Sequence, residues 1–156
     1  MSRKPVEFRS FPASLVALAP FGPYRAIVKP DPRYDDGDTT WADVDRGWND
    51  YGLRDMRLLG INAPERVTQA GKDARDYLLG LLTPNRPIVI DTEQDVEKYG
   101  RYLCAIFYDD AGVVKCANLD MVRAGHAVPY LSWAALLKKC ETHGVGYGDL
   151  LGLDTD

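Results

Sequence analysis

The chain has 156 residues, which is long enough for one domain with a buried apolar core. Its apolar and charged fractions, 46% and 27%, are those of an ordinary globular protein. The net charge of −4 excludes a broad basic surface, so a nucleic-acid partner would need local positive charge or a bound cation.

The N-terminal part of the chain divides into an arm and the start of a domain. Residues 1–23 are rich in proline and phenylalanine and show no sustained hydrophobic period, which predicts an irregular arm. A domain predicted over residues 24–143 follows. Its first three strands are predicted over three short runs rich in β-favouring residues, namely Tyr24 to Val28, Thr39 to Val44 and Leu53 to Leu59.

The loop predicted over residues 47–52 carries Trp48 and Tyr51. These rings could stack on the bases of an unpaired strand. We favour the simpler expectation that the two rings pack together onto the domain.

The clearest helix is predicted over Gln69 to Leu82, where apolar residues recur at helical spacing between Thr68, a cap, and Pro84. Two more strands are predicted over Ile88 to Asp91 and Tyr102 to Tyr108, and two shorter helices over Asn118 to Ala124 and Ser132 to Glu141. A loose tail is predicted over residues 144–156. Five short strands with interspersed helices predict an α+β, mainly β fold: a five-stranded OB-type β-barrel with two or three packed helices.

The sequence predicts neither a targeting signal nor a cysteine-based metal or disulfide site. The apolar patch at residues 15–19 is shorter than a signal-peptide core, and no stretch has the length of a membrane span. The three cysteines lack the spacing of a zinc site or a disulfide framework, so we expect reduced and mostly buried thiols. We expect a cytoplasmic protein, monomeric by default, that needs no protein partner.

Three segments carry residues suited to chemistry. Asp35 to Thr39 places three carboxylates around one glycine, as a hard cation such as Ca²⁺ prefers, although Asp and Gly also favour solvated turns. Arg57 to Glu65 places an arginine on a strand before a loop with an amide and a carboxylate. Glu97 to Arg101 places a second arginine before another strand.

Each segment has a simpler explanation by itself: a turn, a surface cation or a polar hairpin. Together they form a set for phosphodiester cleavage. That reaction needs a positioned water, a group that orients or deprotonates it, and positive charge on the phosphoryl oxygens. Arginine forks bind such oxygens at two points, and a cation adds Lewis-acid stabilisation.

The order and separation of these motifs resemble the staphylococcal nuclease (thermonuclease) family over residues 24–131. Gly125, His126 and Ala127 resemble a further segment of that family. The resemblance implies a Ca²⁺-dependent endonuclease that acts on DNA, and on RNA as a second substrate, and leaves 3′-phosphate ends.

The resemblance also implies a role for each matching residue. The metal site would use Asp38 as a direct ligand, Asn62 at a second position, the backbone carbonyl of Ala63, and Asp36 in the outer shell. Glu65 would orient or deprotonate the attacking water. The phosphate and the nucleotide would be held by two arginines, Arg57 and Arg101, and by Lys98, Tyr99 and Tyr130.

Asn62 departs from the family pattern, which usually has an aspartate there. The amide oxygen can still bind Ca²⁺, but the site has one negative charge fewer. The sequence therefore predicts weaker calcium binding than a site with two aspartates.

Two other functions fit the same fold. One is a non-catalytic module that binds nucleic acid or protein, and the other is a small barrel whose acidic loop binds calcium only for stability. The acidic net charge favours these alternatives. The presence of Asp38, Arg57, Glu65 and Arg101 together favours the enzyme, acting on short or single-stranded substrates reached through a local pocket.

Overall fold

A computed structural model describes residues 23–94 and 102–153. The predicted arm and the segment 95–101 lie outside the described residues, apart from Pro23. The elements, in chain order, are β1 Tyr24–Val28, β2 Thr39–Asp45, β3 Tyr51–Leu58, β4 Ile61–Asn62, α1 Gln69–Leu81, β5 Pro87–Gln94, β6 Tyr102–Asp110, β7 Val113–Cys116, α2 Ala117–Arg123, β8 Val128–Pro129, α3 Trp133–Thr142 and the 3₁₀-helix Gly148–Leu150.

Five of the strands close into a barrel. The order β3-β2-β1-β5-β6-β7 is antiparallel throughout, and β3 and β6 also pair in parallel. This closing pairing joins Arg57 to Leu103 and Leu58 to Cys104. β7 extends the sheet beyond the barrel as a hairpin with β6. The predicted OB-type barrel with three helices is confirmed.

Alternation along each strand explains why the sheet curls around one core. In β2, Ala42 and Val44 are buried, and in β3 Met56 and Leu58 are buried, while the residues between them are more exposed. Successive side chains of a strand point to opposite faces, so each strand contributes every second residue to the interior. The predicted burial of all three cysteines is also confirmed.

Helix α1 begins and packs as its sequence predicts. The Thr68 hydroxyl accepts a hydrogen bond from the Gly71 amide at 3.0 Å, which caps the first turn. Ala74 and Leu78, four residues apart, are buried on one side of the helix. None of the described helices has both the length and the apolar character needed to cross a membrane.

Gly37 and Gly71 allow the acidic loop, the loop after β4 and helix α1 to pack closely together. A Cβ on Gly71 would lie 1.9 Å from the Glu65 carbonyl oxygen. A Cβ on Gly37 would lie 2.7 Å from the Cβ atoms of both Ala63 and Ala74. The acidic loop, the loop after β4 and α1 are therefore packed so closely that a side chain at either glycine would force them apart.

The buried side-chain amide of Asn118 links β3 and β6 where the barrel closes. Asn118 is fully buried, and its Nδ2 donates to the carbonyls of Leu59 and Cys104, both at 2.9 Å. Its Oδ1 accepts the Ile106 amide at 3.0 Å. One side chain thus ties the end of β3 to β6, and it satisfies backbone groups that would otherwise be buried without a partner.

The tip of the β2–β3 hairpin differs from the prediction. β3 begins at Tyr51, so this residue belongs to the strand rather than the loop, and Trp48 is 99% exposed. The expectation of two rings packed onto the barrel is therefore wrong. The strands stay paired out to Asp45 and Tyr51, and the tight turn that follows leaves the indole without a surface to cover it.

The segment after α3 also differs from the loose tail that its glycines predict. Val145 and Leu150 are buried. The Arg123 guanidinium donates to the Gly146 carbonyl at 2.9 Å and to the Asp149 carboxylate at 2.7 and 3.0 Å. Apolar anchors and one arginine therefore hold this segment on the domain as far as it is described.

Candidate active site at the barrel closure

The acidic loop before β2 is tied to two other parts of the site. Asp38 is 7% exposed, and its backbone carbonyl accepts the Leu58 amide at 2.8 Å. Its carboxylate accepts the Ala63 amide at 2.8 Å. The Asp36 carboxylate accepts the Asp38 amide at 3.0 Å. These bonds fix the Asp38 carboxylate between the end of β3 and the loop after β4.

Arg57 lies at the centre of the cluster. Its side chain is 12% exposed, and one terminal nitrogen, Nη1, forms an ion pair with the Asp38 carboxylate. The other, Nη2, donates to the Ile61 carbonyl and to the Asn62 side-chain oxygen, both at 3.3 Å. Both terminal nitrogens are therefore engaged by the protein, the second one through two long contacts.

Burial disfavours the ionised form of two carboxyl groups of the acidic loop. Burial, together with the hydrogen bond and negative charge of Asp38, raises the pKa of Asp36 to about 6. Burial likewise raises the pKa of Asp35 to about 6. Asp35 is 1% exposed and accepts the Asp31 amide and the Thr40 hydroxyl on one oxygen, while its other oxygen has no partner among the described residues.

Asp35 should therefore make stability depend on pH. Its folded-state pKa of about 6 lies above the ordinary 3.8, so the stability it contributes is present in acid and is lost as the pH rises through 6. In chelator, Asp35→Asn should raise the free energy of unfolding by roughly 1–2 kcal/mol at about pH 8, and by almost nothing at about pH 4. Urea unfolding of both proteins at these pH values checks this, and an equal difference at both would contradict it.

Glu65 is exposed, two residues after Ala63 in the chain. Its backbone carbonyl accepts both the amide and the hydroxyl of Thr68, at 2.9 and 2.7 Å. Its side chain is exposed and forms no ion pair with the residues that the structure describes. The start of α1 thus fixes the backbone at Glu65 and leaves the carboxylate open to solvent.

Arg66 connects the Glu65 loop to the acidic loop, a role that sequence reasoning missed. Its guanidinium donates to the carbonyl oxygens of Arg33 and Pro32, the latter at 3.0 Å. These carbonyls lie in the loop that leads to Asp35. The signal in the sequence is weak, since nothing distinguishes Arg66 from a surface cation except its position beside Glu65.

The structure brings together five of the predicted site residues: Asp36, Asp38, Arg57, Asn62 and Ala63. Tyr130 is exposed just after β8, and its amide donates to the Gly60 carbonyl at 2.8 Å. Because β8 pairs with β4, the backbone of Tyr130 lies beside Gly60, just before β4. Three further predicted residues, Lys98, Tyr99 and Arg101, lie outside the described residues.

The donor set suits a hard cation in its chemistry. Carboxylate, amide and carbonyl oxygens are the ligands that Ca²⁺ prefers. Burial first, and the adjacent Asp38 carboxylate second, raise the pKa of Asp36, and a bound cation would oppose both effects. Within residues 23–94 and 102–153, no three side chains of Asp, Glu, His or Cys are grouped to hold a metal ion. A cation here would therefore depend on Asn62 and on backbone oxygens.

Comparison with known proteins bears on this site. A family model described as staphylococcal nuclease homologue matches residues 55–143, which is more than half of the chain. The match begins in β3 and ends just after α3, and it includes Arg57, Asn62 and Glu65, whereas the acidic loop precedes it. No curated protein matches the chain.

Proposed function

Because the chain belongs to the staphylococcal nuclease homologue family, we propose that it is a Ca²⁺-dependent nuclease that hydrolyses phosphodiester bonds. Its substrate is DNA, with RNA as a second substrate, and its products carry 3′-phosphate ends. The observation that carries the proposal is the partly buried Arg57 guanidinium, held between Asp38 and Asn62 while the Glu65 carboxylate nearby in the chain stays exposed.

Arg57 binds the scissile phosphate in this proposal. Its contacts to the Ile61 carbonyl and the Asn62 amide oxygen are both long, at 3.3 Å, and are the ones that phosphate oxygens would replace. A guanidinium binds two phosphate oxygens at once and keeps its charge at every working pH. Arg101 is assigned the second half of this clamp, and Lys98, Tyr99 and Tyr130 the nucleotide pocket.

Glu65 acts on the attacking water. An exposed carboxylate whose backbone is fixed by Thr68 can accept a proton from a water or hold it in line with the phosphorus atom. Glu65 directly precedes Arg66, which is hydrogen-bonded to the loop that leads to the acidic residues. This bond fixes the position of the water site relative to the phosphate site. Small displacements of such groups lower rates strongly.

The calcium site is assigned to Asp38, Asn62 and the Ala63 carbonyl, with Asp36 in the outer shell. A bound Ca²⁺ would supply Lewis-acid stabilisation of the charge that develops on the phosphoryl oxygens. The protein's part is to hold these oxygens in place. The Ala63 amide, which donates to Asp38 at 2.8 Å, does this directly.

Asn62→Asp should strengthen calcium binding. The substitution keeps the oxygen ligand and adds a negative charge to the first shell. We expect a lower apparent calcium constant in cleavage titrations and in direct calorimetric titrations of the protein without substrate. Exposed Asn49→Asp, at the far end of the β2–β3 hairpin, is the matched control for the calorimetric titrations without substrate. Equal or weaker calcium binding by Asn62→Asp would contradict this assignment of the site.

The second candidate is a non-catalytic module that binds nucleic acid or protein. The acidic net charge of −4 and the lack of three grouped metal-binding side chains among the described residues favour it. The two functions are separated by incubating the folded chain with plasmid and with single-stranded DNA, in Ca²⁺ and in chelator. Calcium-dependent cleavage supports the enzyme, and its absence in protein shown to be folded leaves the binding module.

A further inference from the structure

The β2–β3 hairpin ends in an aromatic side chain that the active site does not use. Trp48 is 99% exposed, and its φ of 55° is in the left-handed region, as is the 59° of Asn49. A bulky residue is disfavoured in this conformation, and an exposed indole gains nothing from burial. Turns of this kind favour Asn, Asp or Gly at such positions, so folding does not explain the tryptophan.

Hydrogen bonds hold the tip in one shape. The Asp50 amide donates to the Gly47 carbonyl, and the Arg46 amide donates to the Asp50 carbonyl, both at 2.9 Å. The Asp45 carboxylate accepts the Gly47 amide at 2.9 Å. The indole is therefore presented by a fixed turn, and a ligand that stacks on it would lose little additional backbone freedom.

Two arginines lie together beside this tip. A Cβ on Gly52 would lie 2.9 Å from the Arg54 Nη1 and 3.2 Å from the Arg46 Nη2, so both guanidinium groups occupy the space that the glycine leaves open. Arg46 pairs with Asp50 at 2.7 Å. Arg54 donates to the Leu53 carbonyl and has no ion pair with a carboxylate of the described residues. The hairpin also carries Asp43, Asp45 and Asp55, so the positive charge open to a ligand is confined to the Arg54 guanidinium.

We propose that this tip is a binding site for an unpaired nucleic-acid strand, separate from the active site. Trp48 stacks on a base, and the Arg54 guanidinium binds a phosphate of the same strand. A single-stranded partner is favoured because its bases are free to stack, whereas a duplex hides them. A membrane or protein partner is less well matched to exposed rings, those of Trp48 and Tyr51, beside two guanidinium groups.

The tip lies at one end of β3 and Arg57 near the other. Arg54 and Arg57 are three residues apart, about 10 Å along the strand, and side chains at this odd spacing point to opposite faces. The tip is therefore a binding site of its own and does not continue the surface at Arg57. This inference rests on the proposed function for its choice of nucleic acid, and it predicts a preference for single strands longer than the active site alone requires.

Fluorescence can test the site without cleavage. Of the three tryptophans, Trp41 is partly buried and Trp133 is buried, so quenching by oligo(dT) in chelator would report on Trp48. Trp48→Ala should weaken oligo(dT) binding by about five- to 150-fold, while Trp48→Phe retains most of it. Because both variants lack the reporting indole, their binding is measured by the fluorescence anisotropy of labelled oligo(dT). Arg54→Gln should reduce the salt slope of binding by about 0.7, and Lys115→Gln, an exposed cation on β7, is the control.

The outcomes separate this inference from the proposed function. If the chain cleaves DNA and Trp48→Ala raises KM for long single strands but not for a dinucleotide, both stand. If the chain does not cleave but oligo(dT) binding depends on Trp48, the binding site stands without the nuclease. Equal oligo(dT) binding by Trp48→Ala and the unaltered chain, or no oligo(dT) binding at all, would overturn the inference whatever the cleavage assay shows.

Discussion

Arg57→Ala is expected to abolish measurable cleavage and to destabilise the fold. The loss of one preorganised donor to the transition state costs about 10²–10³ in kcat, and Arg57 is proposed to supply two. The side chains of Arg57 and Asp38 are only 12% and 10% exposed, so removing the cation leaves a carboxylate without its partner. Breaking such a buried pair lowers the free energy of unfolding by about 3–5 kcal/mol.

A second pair of variants separates the two effects of Arg57. Arg57→Met combined with Asp38→Asn removes both charges and should recover most of the lost stability, but no activity. Arg57→Lys keeps the positive charge but loses the two-point binding of the guanidinium group, so this variant should stay folded while its cleavage remains strongly impaired. Urea unfolding and kcat measured on the same preparations check this. Near-normal cleavage by the folded Arg57→Lys variant would remove the guanidinium from the mechanism.

Glu65→Gln is expected to lower kcat by about 10²–10⁴, with the free energy of unfolding changed by less than about 0.5 kcal/mol. The carboxylate is exposed and has no ion pair among the described residues, so its removal should leave the packing unchanged. The amide has the same shape but cannot accept a proton from water. Activity and stability should thus separate cleanly at this position, unlike at Arg57.

Glu141→Gln is the matched control for Glu65, since Glu141 is an exposed glutamate of α3. It should leave both kcat and stability nearly unchanged. Glu65→Asp adds a further test, because a shorter carboxylate keeps the base but moves it. If Glu65→Gln cleaved as fast as the Glu141→Gln control, another group would have to act on the water.

Periodicity predicts the parts of the fold that repeat a local pattern. Helix α1 ends within one residue of its predicted end, because its buried stripe, its Thr68 cap and Pro84 all give the same bounds. Periodicity does not place the site loops, and only the resemblance to a known family predicts that they lie near one another. The contacts of Asp38 with Arg57 and with Ala63 bring them together in the structure.

Features that depend on distant partners leave no such pattern. Asn118 is a polar residue near the start of a helix, and its neighbours in the sequence do not mark it as buried. Its side chain nevertheless bonds to Leu59, which lies 59 residues earlier in the chain. Arg66 bonds to carbonyls 33 and 34 residues away. The packed segment after α3 depends on Arg123, and the exposure of Trp48 depends on how far the hairpin continues. None of these follows from local propensity or hydrophobic spacing.

The parallel pairing of β3 with β6 affects the fraction of molecules in which the active site is fully formed. It consists of only two residue pairs, and Arg57 is in one of them. A local opening of this seam needs few hydrogen bonds to break, mainly those of Leu59 and Asn118 to the Cys104 carbonyl. It would loosen the end of β3 that holds Arg57 while β3 keeps its pairing with β2.

Apparent substrate affinity then scales with the fraction of molecules whose seam is closed. A ligand held by Arg57 would in turn favour closure. Warming should therefore lower substrate affinity before the barrel as a whole unfolds. The thermal limit of the proposed nuclease would be set by this short seam, and by the buried amide of Asn118 that holds it, more than by the size of the hydrophobic core.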